Sequence, residues 1–183
     1  PDGLAYHTAF VAEEEERAIV RCIERLAFEP VRMRGGVGKR ETIHFGWAYD
    51  YEGWRIREAP PPPPALEPLL ARCAAAAGVA RDILQQVMVA RYPTGATIGW
   101  HRDAPMFGSP VIGVSFLSAC EMRFRRALGP RGEAARRKFD TYALLLEPRS
   151  LYILDGAARS QWQHSIPKTA ELRYSITMRT LRR

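Results

Sequence analysis

Trp100-His101-Arg102-Asp103 is the stretch from which the rest of the chain is read. In an extended strand alternate side chains share a face, so His101 and Asp103 project together while Trp100 and Arg102 point away. An imidazole and a carboxylate side by side can clamp a metal ion. Joined by a second imidazole they form the 2-His-1-carboxylate facial triad, which holds Fe(II) through three protein bonds and leaves three positions open. A His-x-Asp pair alone is more often a surface pair or a turn, so a metal site needs further groups from elsewhere in the chain.

Two later stretches supply them. His164 lies downstream of the strand-like run Leu151-Tyr152-Ile153-Leu154 and a turn at Gly156, which suits a third ligand delivered from a separate strand. Arg173-Tyr174-Ser175-Ile176-Thr177-Met178-Arg179 then alternates strictly, with Arg173, Ser175, Thr177 and Arg179 on one face and Tyr174, Ile176 and Met178 on the other. A polar row with an arginine at each end can bind a dicarboxylate through charge-assisted hydrogen bonds.

Around these motifs the period is that of strands: 86–92, 97–101, 111–118, 120–126, 139–147, 150–154 and 172–180, separated by Pro- and Gly-containing turns. Short antiparallel runs at this spacing indicate a sandwich or barrel. Before them lie two helical stretches. Residues 12–27 repeat Ile19, Val20, Ile23 and Leu26 at helical spacing behind an acidic first turn, and residues 65–77 repeat Leu66, Leu69, Leu70 and Cys73 and stop at Gly78. Helices first and strands after make the chain α+β. At 183 residues and 46% hydrophobic it has the size of one domain.

The chain carries 27 basic and 20 acidic residues, a net charge of +7, which favours anionic partners, nucleic acid above all, or else marks a merely basic soluble enzyme. Cys22, Cys73 and Cys120 lack the spacing of a zinc knuckle or a disulfide framework and read as reduced, mostly buried thiols. No apolar run reaches the length of a membrane span and no secretory signal pattern opens the chain. The expected location is cytoplasmic and the expected state a monomer without membrane contact.

Residues 31–59 mix glycines, aromatics and arginines. Arg40, Trp47, Tyr49 and Tyr51 are the candidates here for stacking on an extruded base and contacting its phosphates from a mobile loop. The alternative is that the aromatics pack on the barrel exterior. The five prolines at 60–64 form a stiff spacer. Residues 125–138 carry a second basic cluster including Arg136, Arg137 and Lys138, readable as a phosphate grip or as a solvated loop.

Arg91-Tyr92, His101-x-Asp103, His164 and Arg173-x5-Arg179, in that order, resemble the AlkB family of Fe(II)- and 2-oxoglutarate-dependent dioxygenases, over residue 86 to the C-terminus and more weakly before it. The resemblance implies a double-stranded β-helix, or jelly roll, over residues 86–183 with two supporting helices and a nucleotide-recognition-like lid at 31–59. It implies Fe(II) held by His101, Asp103 and His164, and 2-oxoglutarate held by Tyr92, Arg173, Ser175 and Arg179, with O2 as the other co-substrate. Ala90 and Ser175 stand where many members carry Asn, and Pro105 stands where the DNA-repair type carries a base-contacting acid. The spacing from Arg159 to His164 and the Arg40-x3-His44-Phe45-Gly46 stretch look closer to the branch that acts on tRNA wobble uridines.

The expected function is oxidative dealkylation of alkylated bases in DNA or RNA, as in DNA repair: hydroxylation of an N-methyl group, coupled to conversion of 2-oxoglutarate to succinate, then loss of formaldehyde. The alternatives are hydroxylation of a modified tRNA base or of a protein side chain, and a catalytically silent nucleic-acid-binding module; a zinc hydrolase leaves the paired arginines without a role. His7 and His44 have no metal role in this scheme.

Overall fold

The alternating run near the C-terminus becomes the central strand of the molecule. The computed structural model describes residues 1–33, 36–50, 55–128 and 138–182. In chain order the elements are β1 (Leu4–His7), α1 (Glu13–Ile23), β2 (Glu29–Met33), β3 (Gly36–Phe45), β4 (Trp47–Asp50), β5 (Arg55–Glu58), α2 (Glu67–Ala76), β6 (Gln86–Tyr92), β7 (Ile98–His101), β8 (Phe107–Phe116), β9 (Cys120–Leu128), β10 (Lys138–Leu146), β11 (Leu151–Leu154), α3 (Gly156–Ser160), β12 (Gln163–Ile166) and β13 (Arg173–Leu181). Seven strands form one sheet in the order β1-β11-β8-β13-β6-β3-β2, four form a second in the order β10-β9-β12-β7, and β4 pairs with β5.

Each face of β13 belongs to a different layer. Tyr174, Ile176 and Met178 join Val87, Val89, Ile112 and Val114 in a cluster that α1 and α2 cover through Ile19, Val20, Ile23, Leu69 and Leu70. Complete burial of one such side chain contributes about 1.5–3 kcal/mol, so this contact is what holds the helices behind the sheet. Arg173, Ser175 and Thr177 stand opposite Tyr92, Ala90 and Met88 of β6 and share their face. That face looks into the space between the sheets, where Met88, Ala90, Tyr92, Met122, Phe124, Leu146 and Trp162 form the second cluster. Two antiparallel sheets enclosing such a core are a jelly roll.

Both helices are shorter than their sequence periodicity predicts. After Ile23 the bonds tighten to the i→i+3 kind, from Arg25 N to Cys22 O at 3.4 Å and from Leu26 N to Ile23 O at 3.0 Å, before the chain extends into β2. The second helix opens with a 3₁₀ turn at Pro64–Leu66 and has a proline in its first α turn, where no intrahelical N–H is needed.

The segment 31–59, expected as a loop, contributes strands instead. Glu41–Phe45 of β3 pairs with β6, placing Ile43 and Phe45 against the helix-covered cluster. Thr42 and His44, opposite Ala90 and Met88, are left on the inner face. The glycines before this run conceal its period of two. Gly46, at φ +70°, turns the chain out of the sheet where a Cβ would lie 2.1 Å from the Gln85 carbonyl oxygen, so only glycine fits. Among the described residues no helix is long and apolar enough to cross a membrane.

Candidate functional site

His101 and His164 are direct partners across β7 and β12, so both project from one face, and their rings meet edge-on with centroids 4.3 Å apart. β7 stops at His101, as the 97–101 run predicts, so Asp103 lies beyond its end and the shared face of His101 and Asp103 is not a property of one strand; the Asp103 loop is fixed by Arg159. That buried guanidinium donates to the carbonyls of Ala104 and Gly108 at 3.2 Å and of Phe107 at 2.7 Å. The loop brings Asp103 Oδ2 to 3.9 Å from His164 Nε2, while Oδ1 accepts from Arg179 Nε at 2.6 Å. The three side chains approach one another, but among the described residues no group of three or more His, Cys, Asp and Glu is placed, as it stands, to hold a metal ion.

The protonation states suit a cation. His101 Nδ1 lies 2.9 Å from the Gly99 carbonyl oxygen, which can only accept, so Nδ1 carries the proton and Nε2 keeps its lone pair. Burial pushes the His101 pKa down despite Asp103, and burial followed by His101 pushes His164 down to about 3. Burial alone would raise the Asp103 pKa, but Arg179, His164 and His101 together hold it well below the usual carboxylate range. Two neutral imidazoles and an ionised carboxylate are the forms that bind metal.

At the other end of the β13 inner face, Arg173 is 1% exposed. Nη2 donates to Ser115 Oγ at 2.9 Å, and the guanidinium lies 4.7 Å from the centre of the Tyr92 ring. Its buried Nε and Nη1 have no partner. Leaving a buried cation with two unmet donors is costly, and a ligand carboxylate would supply the missing negative charge and an acceptor. Ser175 sits beside it, across from Ala90 and Ser115.

A cavity of about 710 Å³ opens over His101 and Asp103, walled by Arg40, Arg102, Arg159, Arg179 and Arg182, with Trp100 at its edge. Arg40 is 9% exposed and faces this space from β3. Pro105 also lines it.

A family model described as "2OG-Fe(II) oxygenase superfamily" matches residues 3–180. Alpha-ketoglutarate-dependent dioxygenase alkB homolog 7, mitochondrial, of Bos taurus is 35% identical over 93% of this chain and 70% of its own length. The chain belongs to the AlkB family of 2OG-Fe(II) oxygenases. It is also 28% identical to the Alkylated DNA repair protein ALKBH8 homolog of Arabidopsis thaliana, over 99% of this chain but 56% of that relative, so it spans just over half of that protein's length. The solved structure of OsALKBH1 has the same fold, with a TM-score of 0.67 at 17% identity over 97% of this chain and 96% of that one. Membership makes this an oxidoreductase that uses Fe(II) and 2-oxoglutarate.

Within this AlkB-family fold the expected substrate residues divide. Arg40 lines the cavity; Trp47, paired with Glu58 in the β4–β5 hairpin, and Lys138, at the start of β10 opposite Leu128, are not among its lining residues. Tyr49 lies on β4, and Tyr51, Arg136 and Arg137 fall outside the described residues. Tyr152, which sequence reasoning left as an ordinary strand residue, faces the interior over Gly113, where a Cβ would come within 2.2 Å of its ring. Burial, then Asp103 and Tyr92, raise its pKa above the usual phenol value. A tyrosine opposite a glycine in paired strands was the signal, readable only once the pairing is known.

Proposed function

We propose that this chain oxidatively dealkylates an N-alkylated base in DNA or RNA, with His101, Asp103 and His164 as the iron ligands. The observation that carries the reading is the arginine-walled cavity over the His101–Asp103 pair. Its volume falls in the range of small-ligand sites, and it offers an anionic nucleotide a surplus of positive charge. Fe(II) with 2-oxoglutarate and O2 supplies oxidation of a substrate C–H bond coupled to formation of succinate and CO2. The residues of this chain bind, orient and exclude water.

Arg173, with Tyr92 and Ser175, holds the distal carboxylate of 2-oxoglutarate. The two neutral imidazoles and Asp103 present one lone pair each to the metal. Arg40 and Arg102 receive substrate phosphates from the cavity wall, and Trp100, whose ring carries Arg125 at 4.4 Å, offers its remaining face to the base. The names of relatives that mention alkylated DNA repair and RNA demethylation support this substrate class. Pro105, which cannot accept a hydrogen bond from a base through its side chain, favours a second reading, hydroxylation of a protein side chain.

The test is turnover with Fe(II), ascorbate and 2-oxoglutarate, reading succinate and formaldehyde with methylated and unmethylated oligonucleotides. Formaldehyde released in step with succinate, from methylated strands alone, is the expected result. Succinate without any nucleic-acid dependence would sink the proposal and turn attention to protein substrates.

A further inference from the structure

The inner face of β3 carries a histidine that the site above leaves unused. His44 Nδ1 lies 3.0 Å from Nε2 of Gln86, a residue with no solvent exposure. Gln86 Oε1 accepts from Arg179 Nη1 at 2.9 Å, and Arg179 Nε in turn donates to Asp103 Oδ1 at 2.6 Å. We propose that His44 and Gln86 are positioning residues for the iron-binding carboxylate, orienting Arg179 so that Asp103 keeps Oδ2 available to the metal. The inference rests on the reading of Asp103 as a ligand.

Each link in the chain dictates the next. A guanidinium can only donate, so the Gln86 amide must turn its oxygen towards Arg179. Its Nε2 then needs an acceptor, and the atom in reach is His44 Nδ1, which accepts only in the neutral ring with the proton on Nε2. Burial, reinforced by Arg179, Arg40 and Arg57, lowers the His44 pKa to about 4, so that tautomer is available at neutral pH. At the far end, an arginine beside a carboxylate tends to grip both oxygens with its fork. Here Nη1 is engaged by Gln86 while Nε holds Oδ1. Oδ2 remains on the side of His164, 3.9 Å from its Nε2. Without the Gln86 oxygen holding Nη1, the guanidinium is free to turn until its Nε–Nη2 fork closes on both carboxylate oxygens and competes with the metal. Without His44 the amide loses the partner that holds its oxygen towards Arg179.

Cobalt(II) titration of the metal-free full chain, followed by visible absorption without 2-oxoglutarate or substrate, tests this. Gln86→Leu and His44→Phe should each weaken Co(II) binding by about tenfold, the low end of what partners of a metal's ligands contribute. Residues acting in series are not additive, so the double variant should bind no worse than the weaker single one. His44→Asn, which places an amide oxygen close to where Nδ1 stood, should bind Co(II) like the parent chain, a rescue that a packing role would not give. Melting curves of the metal-free variants identify loss of fold, and if His44→Phe does not fold, Gln86→Leu and His44→Asn decide. Parental Co(II) affinity in Gln86→Leu, additive losses in the double variant, or failure of His44→Asn to rescue would overturn the relay. Asp103→Ala separates the two ideas. If it binds Co(II) as the parent does, the ligand assignment itself is wrong; if it loses Co(II) while Gln86→Leu does not, only the relay is.

Discussion

Arg173 and Arg179 stand six positions apart on the same face of the same strand, yet their charges are met in opposite ways. Arg179 is answered by the protein: Asp103 takes its Nε and Gln86 its Nη1. Arg173 is as deeply buried but has a hydroxyl, an aromatic face and two unmet N–H donors. Burying a cation without an anion is costly, a cost that an anion from outside would relieve. On the proposed reading, one end of β13 organises the metal and the other receives the co-substrate.

The largest effects belong to the metal end. His101→Ala, Asp103→Ala and His164→Ala should each abolish succinate formation, since the remaining two protein bonds cannot fix iron with its open positions. Full activity in any one of them would remove that residue from the ligand set.

Stability of the metal-free protein should then separate the two arginines. Arg179→Met leaves buried Asp103 without its cation and should cost about 3–5 kcal/mol, which for a chain of this length lowers Tm by roughly 6–20 °C. Arg173→Met removes a buried charge that has no counter-charge, and the cation–π contact it loses is worth only about 0.5–2 kcal/mol, so its Tm should match or exceed the parent's. Equal losses in both variants would erase the contrast.

Acid should act on the metal end alone. His164 and His44 have folded pKa values pushed down to about 3 and about 4, and that of His101 is also lowered. In the unfolded chain they titrate near 6.5, so between about pH 6.5 and 4 the unfolded state binds more protons than the folded one. Their contribution is complete above that window and is lost as pH falls, by up to about 1.4 kcal/mol per pH unit for each histidine. Depressed Asp103 adds to the loss only below the ordinary carboxylate range. Melting curves across pH 4–7 should show this slope, a smaller one in His44→Asn, and an unchanged one in Arg173→Met.

The smallest effect lies in the cavity wall. Binding of a single-stranded oligonucleotide should weaken with salt by a log–log slope of about −0.7 for each phosphate neutralised, and Arg40→Gln should flatten it by about that one unit. An unchanged slope would take Arg40 off the phosphate path.

What the sequence made legible is what local periodicity encodes. The alternation of 173–179 named the inward and outward rows of β13 correctly, because a central strand between two layers keeps a strict period of two. His101, Asp103 and His164 were found from residue type and order and are brought together, although Asp103 reaches its place from a loop and not a strand. The alternation of β3 was present in Arg40-Thr42-His44 but was obscured by the glycines and aromatics around it. What escaped are contacts that depend on pairing between distant segments: Arg159 clamping the Asp103 loop, Tyr152 over Gly113, and the His44–Gln86–Arg179 chain, whose members lie 42 and 93 residues apart.

The contrast between the two arginines is tested most directly by calorimetric titration of 2-oxoglutarate into the Mn(II)-loaded protein, with Mn(II) affinity measured separately. Arg173→Met should bind Mn(II) as the parent does and lose 2-oxoglutarate binding by about 2–5 kcal/mol, the cost of truncating one partner of a buried charge pair, and Arg173→Lys should recover only part of it. Parental 2-oxoglutarate affinity in Arg173→Met would contradict the account, because the unmet donors at that end of β13 would then have no ligand to meet them.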